Sequence, residues 1–306
     1  MSAPRDRVRR AREFSMARWL PITLVMIVGC IHLPAQEPQK PDGQITIVKD
    51  VVYGKGGDRD MMLDLALPDT NEPRPCIVCV HGGGWRGGKR QDFQGLIKLL
   101  AEKGFVAATV SYRLTSTHAF PAQIEDCKGA VRFLRANAAK YHIQKDRIGA
   151  IGASAGGHLV CLMGAADDSA KLEGKGGNAE QSSRVQAVVS FFGPTDFTTK
   201  TWTKEVEDFF LVPFLGGSFE DKKALYCQCS PIEYVSKDDP PFLFFHGDKD
   251  TLVGIEHSQK LTKKLKDVGV SAELVTMEGD GHGWGGEKLT RSLNQSVRFF
   301  EEKLKK

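Results

Sequence analysis

The sequence predicts an α/β fold: a mostly parallel central sheet, entered through an antiparallel hairpin, with helices on both faces. Three observations lead there. From Cys76 onward, short runs that are apolar almost throughout alternate with longer amphipathic stretches, the pattern of parallel strands covered on both sides. Upstream, two strand-like runs flank the turn-forming Gly54-Lys55-Gly56-Gly57-Asp58, as a hairpin requires. Chemically versatile side chains gather just beyond the carboxyl ends of the apolar runs, where parallel sheets place their sites.

Residues 1–35 are predicted to be an export signal. Five arginines crowd into the first twelve positions, and the basic stretch ends at Arg18. The apolar run Trp19–Leu33 that follows is interrupted by Pro21 and is short against the roughly 20 residues of a membrane span. Met16 offers an alternative start. Cleavage after Ala35 gives a periplasmic or secreted protein. Lipidation of Cys30, in Ile27-Val28-Gly29-Cys30, gives a membrane-anchored lipoprotein, and an uncleaved anchor is a third outcome. A polar, Pro-rich linker at 36–43 then leads into one α/β domain over 44–306, a length that suits a single large domain.

Within that domain Gln44–Tyr53 and Met61–Leu67 make the hairpin. Cys76–Val80 is a buried strand that ends at His81 and three glycines. Helix Phe93–Lys103 stops at Gly104, and strand Phe105–Tyr112 follows. The next helix, Pro121–Tyr141, carries its proline in the first turn. Arg147–Ala153 is a strand, Ala155–Ala166 a helix of small and apolar residues, Lys171–Ser183 a solvated loop and Val185–Phe192 a strand. From about 196 to 234 the rhythm breaks into an aromatic-rich insertion, with Trp202, Phe209, Phe210, Phe214 and Phe219, expected to serve as a lid. Strand Pro241–His246, helix Ile255–Val268, strand Ala272–Met277 and helix Lys288–Lys306 complete the pattern.

Composition excludes several classes. The chain is 41% hydrophobic and 26% charged, ordinary for a globular protein. Its net charge of +4 falls close to neutral once the arginine-rich start is set aside, so charge makes no case for a nucleic-acid partner. The six cysteines after Cys30 match neither a disulfide framework nor zinc-ligand spacing. Cys76 and Cys79 share a strand and point to opposite faces; Cys161 lies on an apolar helix face; such thiols are small buried hydrophobes. Cys227-Gln228-Cys229 reads as an extended pair unable to bond each other, with a disulfide to another cysteine left open in an oxidising compartment.

The candidate chemistry centres on Ser154 in Gly152-Ala153-Ser154-Ala155-Gly156, between a predicted strand and a predicted helix. A serine in that tight turn is exposed at the sheet edge, and the helix N-terminus beneath it favours negative charge. A hydroxyl becomes nucleophilic only when a base takes its proton and an acid orients the base. His282, in Gly279-Asp280-Gly281-His282-Gly283-Trp284 after the last strand, is the expected base. His158 is placed one turn into the nucleophile's own helix, where a packing or hydrogen-bonding role is favoured, His246 braces a turn, and His257 falls within a helix, on its exposed or packing face. The acid follows the preceding strand, where Asp248 and Asp250 are available; Asp250 is preferred and Asp248 is expected to cap the turn, as Asp280 does its own. His81-Gly82-Gly83-Gly84-Trp85 supplies main-chain donors for an oxyanion, joined by the Ala155 amide. No Gly-Lys-Ser/Thr follows it, against a phosphate-cradling role.

Together, His81-Gly82-Gly83-Gly84-Trp85, Gly152-Ala153-Ser154-Ala155-Gly156-Gly157-His158, His246-Gly247-x-x-Asp250 and Gly281-His282-Gly283 resemble the α/β-hydrolase-fold esterases. The nearest groups are the hormone-sensitive-lipase-like carboxylesterases and the acetylxylan/feruloyl esterase, or BD-FAE-like, branch. Ser111-Tyr112-Arg113-Leu114 and Phe120-Pro121-Ala122-Gln123 also resemble the segments that precede the nucleophile in these enzymes. The resemblance covers about residue 44 to the end and implies a serine carboxylic-ester hydrolase with Ser154, Asp250 and His282 as the triad. It implies Gly83 and Gly84, with Ala155, as oxyanion donors, and no metal or organic cofactor. His81, Trp85, His158 and Trp284 are the candidate pocket residues, and the insertion is expected to shape the acyl or leaving-group side.

The long N-terminal cap of lipase-like members has no counterpart in the linker at 36–43, which points toward the polysaccharide-esterase side. There the expected substrate is an acetyl or feruloyl ester of a polysaccharide or a related small molecule. Alternatives are a prolyl-oligopeptidase-like peptidase, a kynurenine-formamidase-like amidase and a catalytically silent binding module. The first normally adds a large β-propeller, the second has an intracellular substrate, and the third leaves a full set of competent residues unexplained.

Overall fold

The computed structural model describes residues 44–115, 117–199 and 201–305; the expected export signal at 1–35, with Cys30 and Ala35, and the expected linker at 36–43 lie outside these. Strands β1 (Ile45–Gly56) and β2 (Arg59–Pro68) form the antiparallel hairpin. Both run further into the glycine-rich stretch than expected, leaving Gly57-Asp58 as the turn. Gly54 sits within β1, where the backbone of Gly176 crosses the place a side chain would occupy.

Strand β3 (Arg74–Val80), helix α1 (Gln94–Glu102), β4 (Val106–Val110), α2 (Ala122–Ala136), β5 (Ile143–Ala153), α3 (Ala155–Ala165) and β6 (Ala187–Phe191) follow. The insertion, without strands, holds α4 (Lys204–Val206), a π-helical turn at Glu207–Leu211, α5 (Val212–Leu215) and α6 (Phe219–Gln228). Strand β7 (Phe242–Gly247), α7 (Glu256–Asp267), β8 (Ala272–Met277) and α8 (Gly286–Leu304) close the chain. The strands form one eight-stranded sheet in the order β1-β2-β4-β3-β5-β6-β7-β8. It is antiparallel at β1/β2 and β2/β4 and parallel elsewhere.

The two-residue period of the strands sorts the core. Ile77, Ile151, Val189 and Phe245 face Leu100 of α1 and Phe300 of α8. Val78, Ala150, Val188 and Phe244 face the opposite cluster, with Val131 of α2, Leu159 of α3 and Leu261 of α7. Cys76 and Cys79 fall in different clusters, as their odd spacing requires. Among the described residues no helix is long and apolar enough to cross a membrane.

Three expectations need correction. The helix from Pro121 ends at Ala136, where the Asn137 side chain donates to the Phe133 carbonyl at 2.8 Å, so β5 starts four residues early, at Ile143 rather than Arg147. Cys227 lies in α6 and Cys229 caps it, not in an extended segment, and all six described cysteines are free thiols. The loop at 171–183 is pinned rather than merely solvated. Its Glu173 carboxylate accepts from Lys128 at 2.5 Å and from Arg132 and Ser183 at 2.8 Å each. Buried cations on α2 require an opposite charge, and the loop supplies it.

Candidate active site

Ser154 stands at the N-terminus of α3 with φ 55° and ψ −120°, a conformation that L-residues rarely adopt. The turn is possible because its neighbours lack side chains. A Cβ on Gly156 would overlap the carbonyl oxygen of Val80, and one on Gly152 would overlap that of Gly156. The Ser154 amide donates to the Phe191 carbonyl at 2.9 Å and its carbonyl accepts from His158 N at 2.9 Å, so the strained turn is held from both sides.

The loop after β8 carries His282 to Ser154. Its Nε2 lies 2.8 Å from Ser154 Oγ, and its Nδ1 lies 2.7 Å from Asp250 Oδ2. A carboxylate only accepts, so Nδ1 carries the proton and Nε2 is the bare nitrogen facing the hydroxyl. The Asp250 side chain is fully buried, and its Oδ1 accepts from the amides of Leu252 and Val253, both at 2.9 Å. Burial pushes its carboxyl up, but hydrogen bonds from His246, His282 and the Val253 amide outweigh that and hold it well below the usual carboxylate range. An ionised Asp250 thus orients His282, and the trio can move the Ser154 proton onto the imidazole.

His246 does more than brace a turn. The Val253 carbonyl accepts from its Nε2–H at 2.8 Å, Ser258 Oγ–H donates to its Nδ1 at 2.7 Å, and Nε2 stands 3.3 Å from Asp250 Oδ2. Asp248 accepts from the Gly279 amide at 2.7 Å and ties the two loops together. Asp280 pairs with Lys288 at 2.6 Å. Phe192, at φ 40°, directly follows β6 and lays its ring 4.6 Å from that of His282.

The cavity over Ser154 has a volume of about 470 Å³. Gly83, Gly84, Ala155 and His282 border it, and among the described residues nothing accepts a hydrogen bond from the three amides. Its walls are apolar: Trp85, Pro194, Leu252 and Val253, with Trp202, Val206, Phe209, Phe210 and Leu211 from the insertion. Arg86 is the one charged side chain of the lining besides whatever His282 takes up. The aromatic cluster at 202–210 signalled this wall in the sequence; Leu252 and Val253 gave no such signal, being defined by how the loop folds around Asp250.

Of the four candidate pocket residues, only Trp85 lines the cavity. His81 is buried behind the loop, stacked on Tyr112 at 4.3 Å, with Nδ1–H donating to the Gly82 carbonyl at 2.8 Å. Trp284 packs on Phe191 and Phe192 and donates to Ser292 at 2.8 Å. His158 is a core residue: its Nδ1 accepts from Trp85 Nε1 at 3.1 Å, and its Nε2–H donates to the Cys229 carbonyl at 2.7 Å. Its position one turn into α3 points it down into the core, between Trp85 of the glycine-rich loop and Cys229 at the end of the insertion's last helix. His257 is likewise buried, accepting from the Thr195 and Asp196 amides at 3.3 and 3.2 Å.

Burial pushes His158 down to about 3 and His257 to about 4. Both are lowered, so the unfolded chain binds their protons first and stability falls as pH drops below the ordinary value near 6.5. Two such histidines cost on the order of 5 kcal/mol between pH 6.5 and 4.5. The urea midpoint is therefore expected to be clearly lower at pH 4.5 than at pH 7; an unchanged or higher midpoint would contradict these environments.

A mostly parallel sheet with a serine at a strained strand-to-helix turn, an acid after β7 and a histidine after β8 defines the α/β-hydrolase class. The BD-FAE family model matches residues 63–265, and the chain belongs to that family. Esterase LipQ of Mycobacterium tuberculosis is 33% identical over 227 residues, 72% of this chain and 53% of LipQ. The chain thus spans about half the length of the curated relatives it matches first. Among solved structures, a truncated carbohydrate esterase from gut microbiota superposes with a TM-score of 0.75 at 26% identity, covering 87% of this chain and 99% of that one. The thermophilic esterase Est2 of Thermogutta terrifontis, with propionate bound, gives a TM-score of 0.71 at 27% identity, over 87% and 96%.

Proposed function

We propose that this protein is an exported serine carboxylic-ester hydrolase that removes small acyl groups, acetyl or feruloyl, from a polysaccharide. The observation that carries the esterase reading is the Ser154–His282–Asp250 chain of hydrogen bonds beneath an apolar cavity edged by free amides. His282 takes the Ser154 proton as the oxygen attacks the ester carbonyl. The amides of Gly83, Gly84 and Ala155 hold the oxyanion, and His282 returns the proton to the leaving alcohol. Water then releases the acyl group by the same route.

The small acyl group is supported by the cavity and by the relatives. Apolar walls stabilise an acyl chain or ring by about 25 cal/mol for each Å² they cover, while offering a charged acyl group little beyond Arg86. Est2 is described with bound propionate, and the gut neighbour is named a carbohydrate esterase. Export rests on the basic and apolar pattern of residues 1–35, with Cys30 as the lipid-bearing alternative. Purified protein is expected to release acetate from acetylated xylan or ferulate from methyl ferulate, and to hydrolyse p-nitrophenyl acetate. Turnover of the p-nitrophenyl ester alone would count against the polymer; turnover of none would sink the esterase assignment.

A further inference from the structure

The geometry points to Arg86 and Phe210 as the residues that set which acyl lengths the cavity accepts, a claim that rests on the esterase reading and makes it more specific. Phe210 lies in the π-helical turn, against the backbone of Gly84, so close that a Cβ on Gly84 would overlap its ring. Gly84 has φ 58°, which disfavours a side chain, and one placed there would also have to displace the Phe210 ring. One wall of the cavity therefore rests directly on a proposed oxyanion donor. A π-helical turn inside a helix costs regular hydrogen bonding and is commonly found where a site needs a particular shape.

Arg86 fastens that wall. Its Nη1 donates to the Phe209 carbonyl at 3.0 Å, inside the π-helical turn, and its guanidinium lies 3.9 Å from the centre of the Phe209 ring. Phe209 in turn meets Phe210 edge to face at 4.8 Å. Even with Arg86 against it, Phe209 is 55% exposed, so few other contacts hold this large apolar side chain. The guanidinium supplies both a directional bond to the turn and a cation over the ring, two interactions that a neutral side chain lacks.

The acyl side follows from proton transfer. The leaving oxygen must lie within reach of His282 Nε2, which hands it a proton, and the carbonyl oxygen must face the three amides. The ring beside His282 is Phe192, from the body of the domain, whereas Phe210 belongs to the wall over Gly84. The remaining substituent of the tetrahedral carbon, the acyl group, is the one that meets Phe210.

The test is kcat/KM for p-nitrophenyl acetate, butyrate and octanoate on wild type and on Phe210→Ala, Arg86→Met and Arg86→Lys. The octanoate-to-acetate ratio is independent of the active fraction, so a variant that folds poorly still reports. Phe210→Ala is expected to raise that ratio about ten-fold or more, since each methylene accommodated in an apolar pocket changes selectivity by such factors. Arg86→Met, which keeps the stem and loses the guanidinium, is expected to raise it about three-fold, and Arg86→Lys to return part of the way. Ratios within about two-fold of wild type in Phe210→Ala would overturn the wall, and in Arg86→Met the latch. A larger response to lengthening the alcohol, read with butyl and octyl acetate on the same variants, than to lengthening the acyl group would overturn the acyl assignment. Absence of acetate turnover by the wild type would instead strike the esterase reading itself.

Discussion

Ser154→Ala is expected to lower kcat for p-nitrophenyl acetate by roughly 10⁴- to 10⁶-fold, the range that loss of a nucleophile produces when base and acid act only through it. The fold should be indifferent to the change. Alanine meets the same backbone restriction at φ 55° as serine, and the Oγ lost makes one hydrogen bond, to a histidine already held by Asp250. Ser154→Gly separates the two effects further. It removes the hydroxyl and also the strain, so activity is lost while stability rises by about 1 kcal/mol. Turnover and urea unfolding of both variants, with labelling of the wild type by a fluorophosphonate probe, check this. Residual turnover above about 1% in Ser154→Ala, or equal labelling of wild type and variant, would remove Ser154 from its role.

The parts of this site written within a few residues of one another could be read from the chain. Gly152 and Gly156 announce the turn at Ser154 because no side chain fits beside the Val80 and Gly156 carbonyls. The Gly-rich run after β3 and the loops after β7 and β8 could be placed by strand polarity alone, since each follows an apolar run. What escaped was set by contacts distant in sequence. His158, open on sequence alone to a packing role or to the pocket, is settled 71 residues on, where the Cys229 carbonyl accepts a hydrogen bond from its Nε2–H and holds it in the core. The loop holding Glu173 has a solvent-like composition; only the burial of Lys128 and Arg132 on α2 explains why it is pinned. Cys227-Gln228-Cys229 has no strong helical signature of its own, and the insertion's packing rather than propensity makes it the end of α6.

The two aspartates that flank Lys249, of which the sequence favours Asp250 as the acid, give the second large effect. Asp250→Asn is expected to lower kcat by about 10³- to 10⁴-fold near pH 7 with little change in KM, the scale seen when an acid of this kind loses its charge. The geometry gives the reason. Oδ1 is fixed by the Leu252 and Val253 amides, so the asparagine oxygen must take that place and its NH₂ must face the His282 and His246 N–H groups. Donor then meets donor. His282 relieves the clash by moving its proton to Nε2, which turns a donor toward Ser154 and leaves no base.

Asp248→Asn should change kcat by less than about three-fold, because an amide oxygen can still accept from Gly279. Equal losses at both positions would mean that loop distortion, not the charge on Asp250, is being measured. Acid pH adds a sign that distinguishes them. Since the Asp250 carboxyl is held well below its ordinary value, it stays ionised as pH falls through 4, and the stability it contributes above its unfolded pKa is lost only lower still. A fall in wild-type kcat between pH 7 and 5 therefore cannot come from Asp250, and the same fall should persist in Asp248→Asn.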